Sequence, residues 1–90
     1  MRFEWDPVKA AINSRKHGVS FDEAAECFQD PFAIMLDDPK HPERAILIGA
    51  SKRRRLIFTV YLERDAALIR IVSARRATAK ERRKYEEGDF

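Results

Sequence analysis

Ninety residues, 44% hydrophobic and 37% charged, amount to one small domain (1–90) with a limited core and a heavily charged surface. No run of ~18 apolar residues could cross a membrane, and the start, Met1-Arg2-Phe3-Glu4-Trp5-Asp6, lacks the apolar stretch of a secretion signal. The lone Cys27 excludes an internal disulfide, and Cys and His lack zinc spacing, so the expectation is a cytoplasmic chain with no metal and no cofactor.

The net charge of +3 conceals a strong asymmetry. Residues 52–84 carry twelve Lys/Arg against three acids, a charge of +9, whereas residues 1–51 carry −3. A basic C-terminal half on a near-neutral chain suits a polyanionic partner such as RNA or DNA.

Residues 2–5 suit an edge strand. Asp6 is a good N-cap and Pro7 a good first helical residue, so a helix runs to His17 and closes at Gly18. Val8, Ala11 and Ile12 form its apolar side. Lys9, Asn13, Lys16 and His17 form a polar, mostly basic stripe on the other. Ser20-x-x-Glu23 is a capping box that opens a second helix with Phe21, Ala24, Ala25 and Phe28 as its stripe, ended by Gln29-Asp30-Pro31.

Four strands follow, at about 32–36, 44–50, 56–63 and 67–75, with a basic turn over residues 51–54. In the third, Leu56, Phe58, Val60 and Leu62 are expected to face the core, with Ile57, Thr59, Tyr61 and Glu63 on the other side. The last reads Leu68-Ile69-Arg70-Ile71-Val72-Ser73-Ala74-Arg75-Arg76, with Arg70 opposite the helices and near Thr59 or Tyr61. Thr78-x-x-Glu81 is a second capping box. The helix it starts has a poor apolar side, chiefly Ala79 and Tyr85, and residues 88–90 are expected to fray. The order β-α-α-β-β-β-β-α predicts an α+β domain, an antiparallel sheet with helices mainly on one face.

No Gly-rich phosphate loop, metal motif or nucleophile elbow is present. What survives is metal-independent RNA cleavage, because the substrate supplies its own nucleophile, the 2′-hydroxyl. Arginines stabilise phosphate charge, and Arg70, Arg75 and Arg76 are the candidates. Proton transfer could fall to His17, Tyr61, Glu63 or Tyr85. Lys9, Lys16, Lys52, Arg53, Arg54, Lys80 and Arg83 are candidates for holding the RNA backbone. Two readings compete with this one: a non-catalytic RNA- or DNA-binding module, and an interaction protein that docks an acidic partner.

Further residues carry a family resemblance. Phe3-Glu4-Trp5-Asp6 with Lys9 and Asn13, Lys16-His17-Gly18-Val19-Ser20-Phe21 with Glu23-Ala24, Phe28-x-Asp30-Pro31, Glu43-Arg44, Gly49, Val60-Tyr61, Ile69 to Ala77, and Tyr85-Glu86 resemble the BrnT toxins. Leu62 and Cys27 depart from the usual threonine and aliphatic residue. The resemblance implies a RelE-like ribonuclease fold and a toxin that inhibits translation by cutting RNA. It implies a BrnA-like ribbon-helix-helix antitoxin, two toxins per antitoxin dimer, with operator DNA bound only through the antitoxin. It places the site on Arg70, Arg75, Arg76, His17 and Tyr61, with Arg70 and Arg75 expected to flank the scissile phosphate.

Overall fold

Local capping sets the helix boundaries. In the computed structural model, which describes residues 1–88, α1 spans Pro7–His17. The Asp6 carboxylate accepts from the Val8 and Lys9 amides, and Gly18 closes the helix at φ 69°. Helix α2 spans Phe21–Glu26 and passes into a 3-10 turn, Cys27–Gln29. Ser20 caps it by accepting from the Glu23 amide, but the Glu23 side chain turns away to other partners, so only half of the capping box forms. Helix α3, Ala79–Glu87, has the full box between Thr78 and Glu81. Of the end expected to fray, Gly88 is the C-cap at φ 62°; residues 89–90 lie outside the described residues.

The strands are β1 (Arg2–Glu4), β2 (Ile34–Asp37), β3 (Ala45–Ala50), β4 (Leu56–Asp65) and β5 (Leu68–Arg76). They form one sheet in the order β1-β5-β4-β3-β2. The pairs from β2 to β5 are antiparallel as expected, but β1 runs parallel to β5, with Glu4 beside Arg70. The first strand therefore reaches its partner only across the whole fold.

Both sheet faces are covered. On one, Leu47, Ile57, Tyr61, Ile69, Ile71 and Ala74 pack with Val19, Phe21, Ala24 and Cys27 beneath α1 and α2. On the other, Ile34, Ile46, Ile48 and Leu56, with Phe58 and Val60, receive Ala77 and Tyr85 from the α3 region. Two of the three helices share a face, and α3 packs on the opposite one. The expected facing of β4 is reversed: Ile57, Thr59 and Tyr61 lie under α1 and α2, while Leu56, Phe58 and Val60 face α3. Alternation separates two faces but does not say which one the larger helical layer covers.

Close approach of the 3-10 turn to β3 depends on Gly49. A Cβ there would lie 2.9 Å from the Cys27 carbonyl oxygen and 3.1 Å from the Ala33 methyl. Cys27 is fully buried here. Burial, then the carboxylates of Glu23, Glu26 and Asp30, push its thiol up to about 12, so it packs as a small apolar residue.

Candidate nucleic-acid interface

Helix α1 lies on β5 in an unexpected orientation. Asn13, expected on the polar outer stripe, is the helix's buried residue, 8% exposed. Its amide donates to the Val19 carbonyl at 3.0 Å and the Ala74 carbonyl at 2.8 Å, and its oxygen accepts from the Ala74 N–H at 3.1 Å. The need arises from β1. That strand covers β5 only from Leu68 to Arg70, leaving the later backbone groups on that edge without a strand partner. Asn13 supplies at Ala74 the donor and acceptor that a longer β1 would have given. Val8 and Ile12, expected to be the buried side, are 66% and 60% exposed instead.

Beside this contact β5 carries an irregularity. Val60 pairs with Ser73 but Tyr61 with Ile71, so Val72 has no partner on β4. The irregular segment and α1 together bound an open groove of about 320 Å³, lined by Lys9, Ile12, Asn13, Lys16, His17, Val72 and Ser73. No carboxylate lines it, and neither lysine has an ion-pair partner among the described residues. His17, exposed in the last turn of α1 with Arg15 and Lys16, brings an imidazole to the same groove. Arg76 pairs with Ile57 and so shares the α1–α2 face, past Ala74; it is exposed and in no ion pair among the described residues. The structure thus brings together Lys9, Lys16 and His17, with Arg76 on the same side of the sheet.

The other candidates lie elsewhere. Tyr61 is a correction: it is 2% exposed, its ring packs edge-on against Phe28 at 4.9 Å, and burial, then Glu63, raises its pKa. Arg70 stands beside Leu62 rather than Thr59 or Tyr61, and donates to Glu4 at 2.9 Å. Arg75 donates both guanidinium amines to Glu81, at 2.8 and 2.9 Å, and lies 4.0 Å over the Phe58 ring. Five residues of strand separate these two arginines by roughly 16 Å, and each is drawn to its own carboxylate.

Of the candidate backbone contacts, Lys80 and Arg83 line an open face of α3 with Lys84 and Glu87. Lys52, Arg53 and Arg54 are exposed in the β3–β4 turn, where Arg53 lies 3.9 Å from Glu23. The turn closes through Arg54 N–H to Ser51 O and Ser51 N–H to Arg55 O, both 2.9 Å, and forces Arg54 to φ 64°. Glycine or asparagine ordinarily takes such a position. Arg54→Gly is expected to raise stability by about 0.5–1 kcal/mol, net of glycine's extra chain entropy, and Tm by a few degrees in calorimetry.

One group escapes the sequence reading altogether. Glu23, 5% exposed, accepts from Arg55 through both carboxylate oxygens and from the Ser51 hydroxyl at 2.8 Å, while Arg55 also donates to the Gly18 carbonyl at 2.9 Å. The bonds from Arg55 hold the Glu23 carboxyl below the usual carboxylate range against the opposing effect of burial. In the sequence Arg55 is the last of four consecutive cations, and nothing local marks it as the one that turns inward. A signal was available in Glu23, an acid next to the buried stripe that needs a partner.

A family profile described as "Ribonuclease toxin, BrnT, of type II toxin-antitoxin system" matches residues 5–81, which include α1, the groove and all of β5. The chain belongs to the BrnT family. The 1.1 Å crystal structure of the Brucella abortus ribonuclease toxin BrnT shares this fold, with a TM-score of 0.70 and 22% identity, over 87% of this chain and 97% of that one. No curated protein matches the chain in sequence. As a BrnT-family ribonuclease toxin of a type II system, the chain has RNA as its substrate class and an antitoxin as its partner. Among the described residues no helix is long and apolar enough to cross a membrane.

Proposed function

We propose that this chain is a metal-independent, RelE-like endoribonuclease that cuts RNA at the α1–β5 groove and thereby stops translation. The observation that carries this reading is the meeting of one imidazole and two lysines, with no carboxylate, in an open groove, with Arg76 on the same side of the sheet and in no ion pair among the described residues. The 2′-hydroxyl of the substrate attacks the adjacent phosphorus as it loses its proton. The bond from phosphorus to the 5′-oxygen breaks, and that oxygen takes up a proton. The products are a 2′,3′-cyclic phosphate and a 5′-hydroxyl. Imidazole suits proton movement near neutral pH, which gives the role to His17. Lys9, Lys16 and Arg76 neutralise the charge that builds on the phosphate oxygens. Beyond Arg76 the chain turns into α3, and in this reading Lys80 and Arg83 on that helix hold a further stretch of the RNA backbone. Lys52, Arg53 and Arg54 do the same from the β3–β4 turn.

The partner in this reading is a BrnA-like ribbon-helix-helix antitoxin whose dimer carries two toxins and alone contacts operator DNA; the pair works in the cytoplasm. The test is single-turnover cleavage of a labelled RNA in excess chelator. His17→Ala is expected to slow cleavage 10²–10⁴-fold at unchanged Tm, Arg76→Ala to slow it at least tenfold, and Tyr61→Phe to leave the rate within threefold. Full activity in His17→Ala, or loss of wild-type cleavage on chelation, would overturn the proposal.

A further inference from the structure

Helix α1 wears its apolar stripe outward. Val8, Ala11 and Ile12, at i, i+3 and i+4, are all exposed, Val8 at 66% and Ile12 at 60%, because Asn13 takes the inward position. A helix of a finished monomer ordinarily turns this stripe to the core. Within α1 every charged side chain has one sign, Lys9, Arg15 and Lys16 with no acid, and the Asp6 carboxylate that caps the first turn is engaged by the Val8 and Lys9 amides.

The sign of this rim selects the occupant. A second copy of the chain would bring like charges face to face, which disfavours it. Single-stranded RNA is gripped by phosphate contacts and aromatic stacking, and this stripe is aliphatic. What fits is an amphipathic helix with aliphatic residues on one side and Asp or Glu beside them. We propose that the outer face of α1, centred on Val8, Ala11 and Ile12 and rimmed by Arg15 and Lys16, is the docking surface for an acidic amphipathic helix of the antitoxin. The inference rests on the reading of the chain as an antitoxin-restrained toxin. It also gives the restraint a physical form: Ile12 and Lys16 belong both to this face and to the groove lining, so a helix seated on the stripe covers the groove mouth and excludes RNA.

The test uses the whole chain and its cognate antitoxin, with calorimetry for affinity and hydrogen exchange for location. Val8→Asp is expected to weaken antitoxin binding at least 30-fold, and Val8→Leu to leave it within threefold. An acid in the first turn suits the helix dipole, and Val8 lies outside the groove, so Val8→Asp keeps its fold and its rate of RNA cleavage. Arg15→Glu is expected to weaken binding about tenfold at low salt and less at high salt. In the complex, amides of α1 gain protection. Wild-type affinity in Val8→Asp overturns the proposal. So does protection confined to the β2 region, where Phe32 and Met35 are also exposed, and so does loss of RNA binding without loss of antitoxin binding. If the wild-type chain cuts no RNA yet still binds antitoxin through α1, the ribonuclease reading fails and this inference stands.

Discussion

Replacing Glu23 by alanine is expected to remove about 3–5 kcal/mol of stability, because it strands a largely buried arginine without its partner. The Glu23 side chain is 6% exposed and that of Arg55 20%, so water gives the orphaned guanidinium little relief. A domain of this size holds on the order of 5–10 kcal/mol in total, so the variant loses about a third of its stability or more. Urea titration followed by circular dichroism checks the value. Removing both partners has a smaller effect: Glu23→Leu with Arg55→Met is expected to recover most of the loss, since the interior no longer holds an unpaired charge. The pH dependence has a definite sign. Arg55 lowers the folded-state pKa of Glu23 below its ordinary value. This contribution is therefore complete above the carboxylate range and disappears as pH falls through the folded-state value. Acid unfolding of the wild type is expected to begin below about pH 4.5, the ordinary glutamate value, and Glu23→Gln should lose that part of its acid dependence. A Glu23→Ala protein with wild-type stability would show that the ion pair does not hold α2 to the start of β4.

Arg75→Ala is expected to cost about 2 kcal/mol and to release α3 from the sheet. Four contacts go at once: both bonds to Glu81, the seat over Phe58, and the bond to the Arg76 carbonyl at 3.2 Å. The Arg75 side chain is 36% exposed, so solvent screening keeps the loss below that of a buried pair. Helix α3 has no buried residue of its own. Beyond Arg75 its hold on the domain comes from Tyr85, which packs on the second core cluster and donates to Asp30 at 2.6 Å. Far-ultraviolet dichroism is expected to show lost helix in Arg75→Ala, and Glu81→Gln should lose a similar amount. If RNA cleavage drops in both variants in proportion to α3 docking, Arg75 positions the basic helix; if Arg75→Ala abolishes cleavage with α3 fully docked and Glu81→Gln is active, Arg75 meets the phosphate itself.

Where structure depends on a few adjacent residues, the sequence was readable. Asp6, Pro7 and Gly18 mark both ends of α1, and Thr78 with Glu81 marks the start of α3, because caps satisfy backbone groups within one turn. The strands were readable for the same reason, as short apolar runs between turns. Facing was not. Both sides of β4 are apolar, Leu56-Phe58-Val60 and Ile57-Thr59-Tyr61, and which side meets α1 and α2 depends on packing far along the chain. The inward turn of Asn13 has a remote cause too, the end of β1 opposite Arg70. The lysine and histidine stripe of α1 survived this rotation, because Asn13 at the inner edge carries the groove lining with it. The arginines of β5 illustrate the opposite case. Their spacing was visible, but Glu4 and Glu81, which claim Arg70 and Arg75, stand 66 and 6 residues away, and only the register brings the first of them close.

The parallel pairing of β1 with β5 also governs when this chain can fold. Residues 2–4 have their strand partner at 68–70, and Asn13 has its own at Ala74. Until β5 has been synthesised, β1 and α1 have nothing to close against, and at ~5–20 residues per second they wait on the order of several seconds. Contacts this distant in sequence slow folding and make it cooperative. The groove is built from the same two segments, so its lysines and histidine assemble only once β5 is in place. A nascent chain carries the lysines and the histidine of the groove well before it carries the groove.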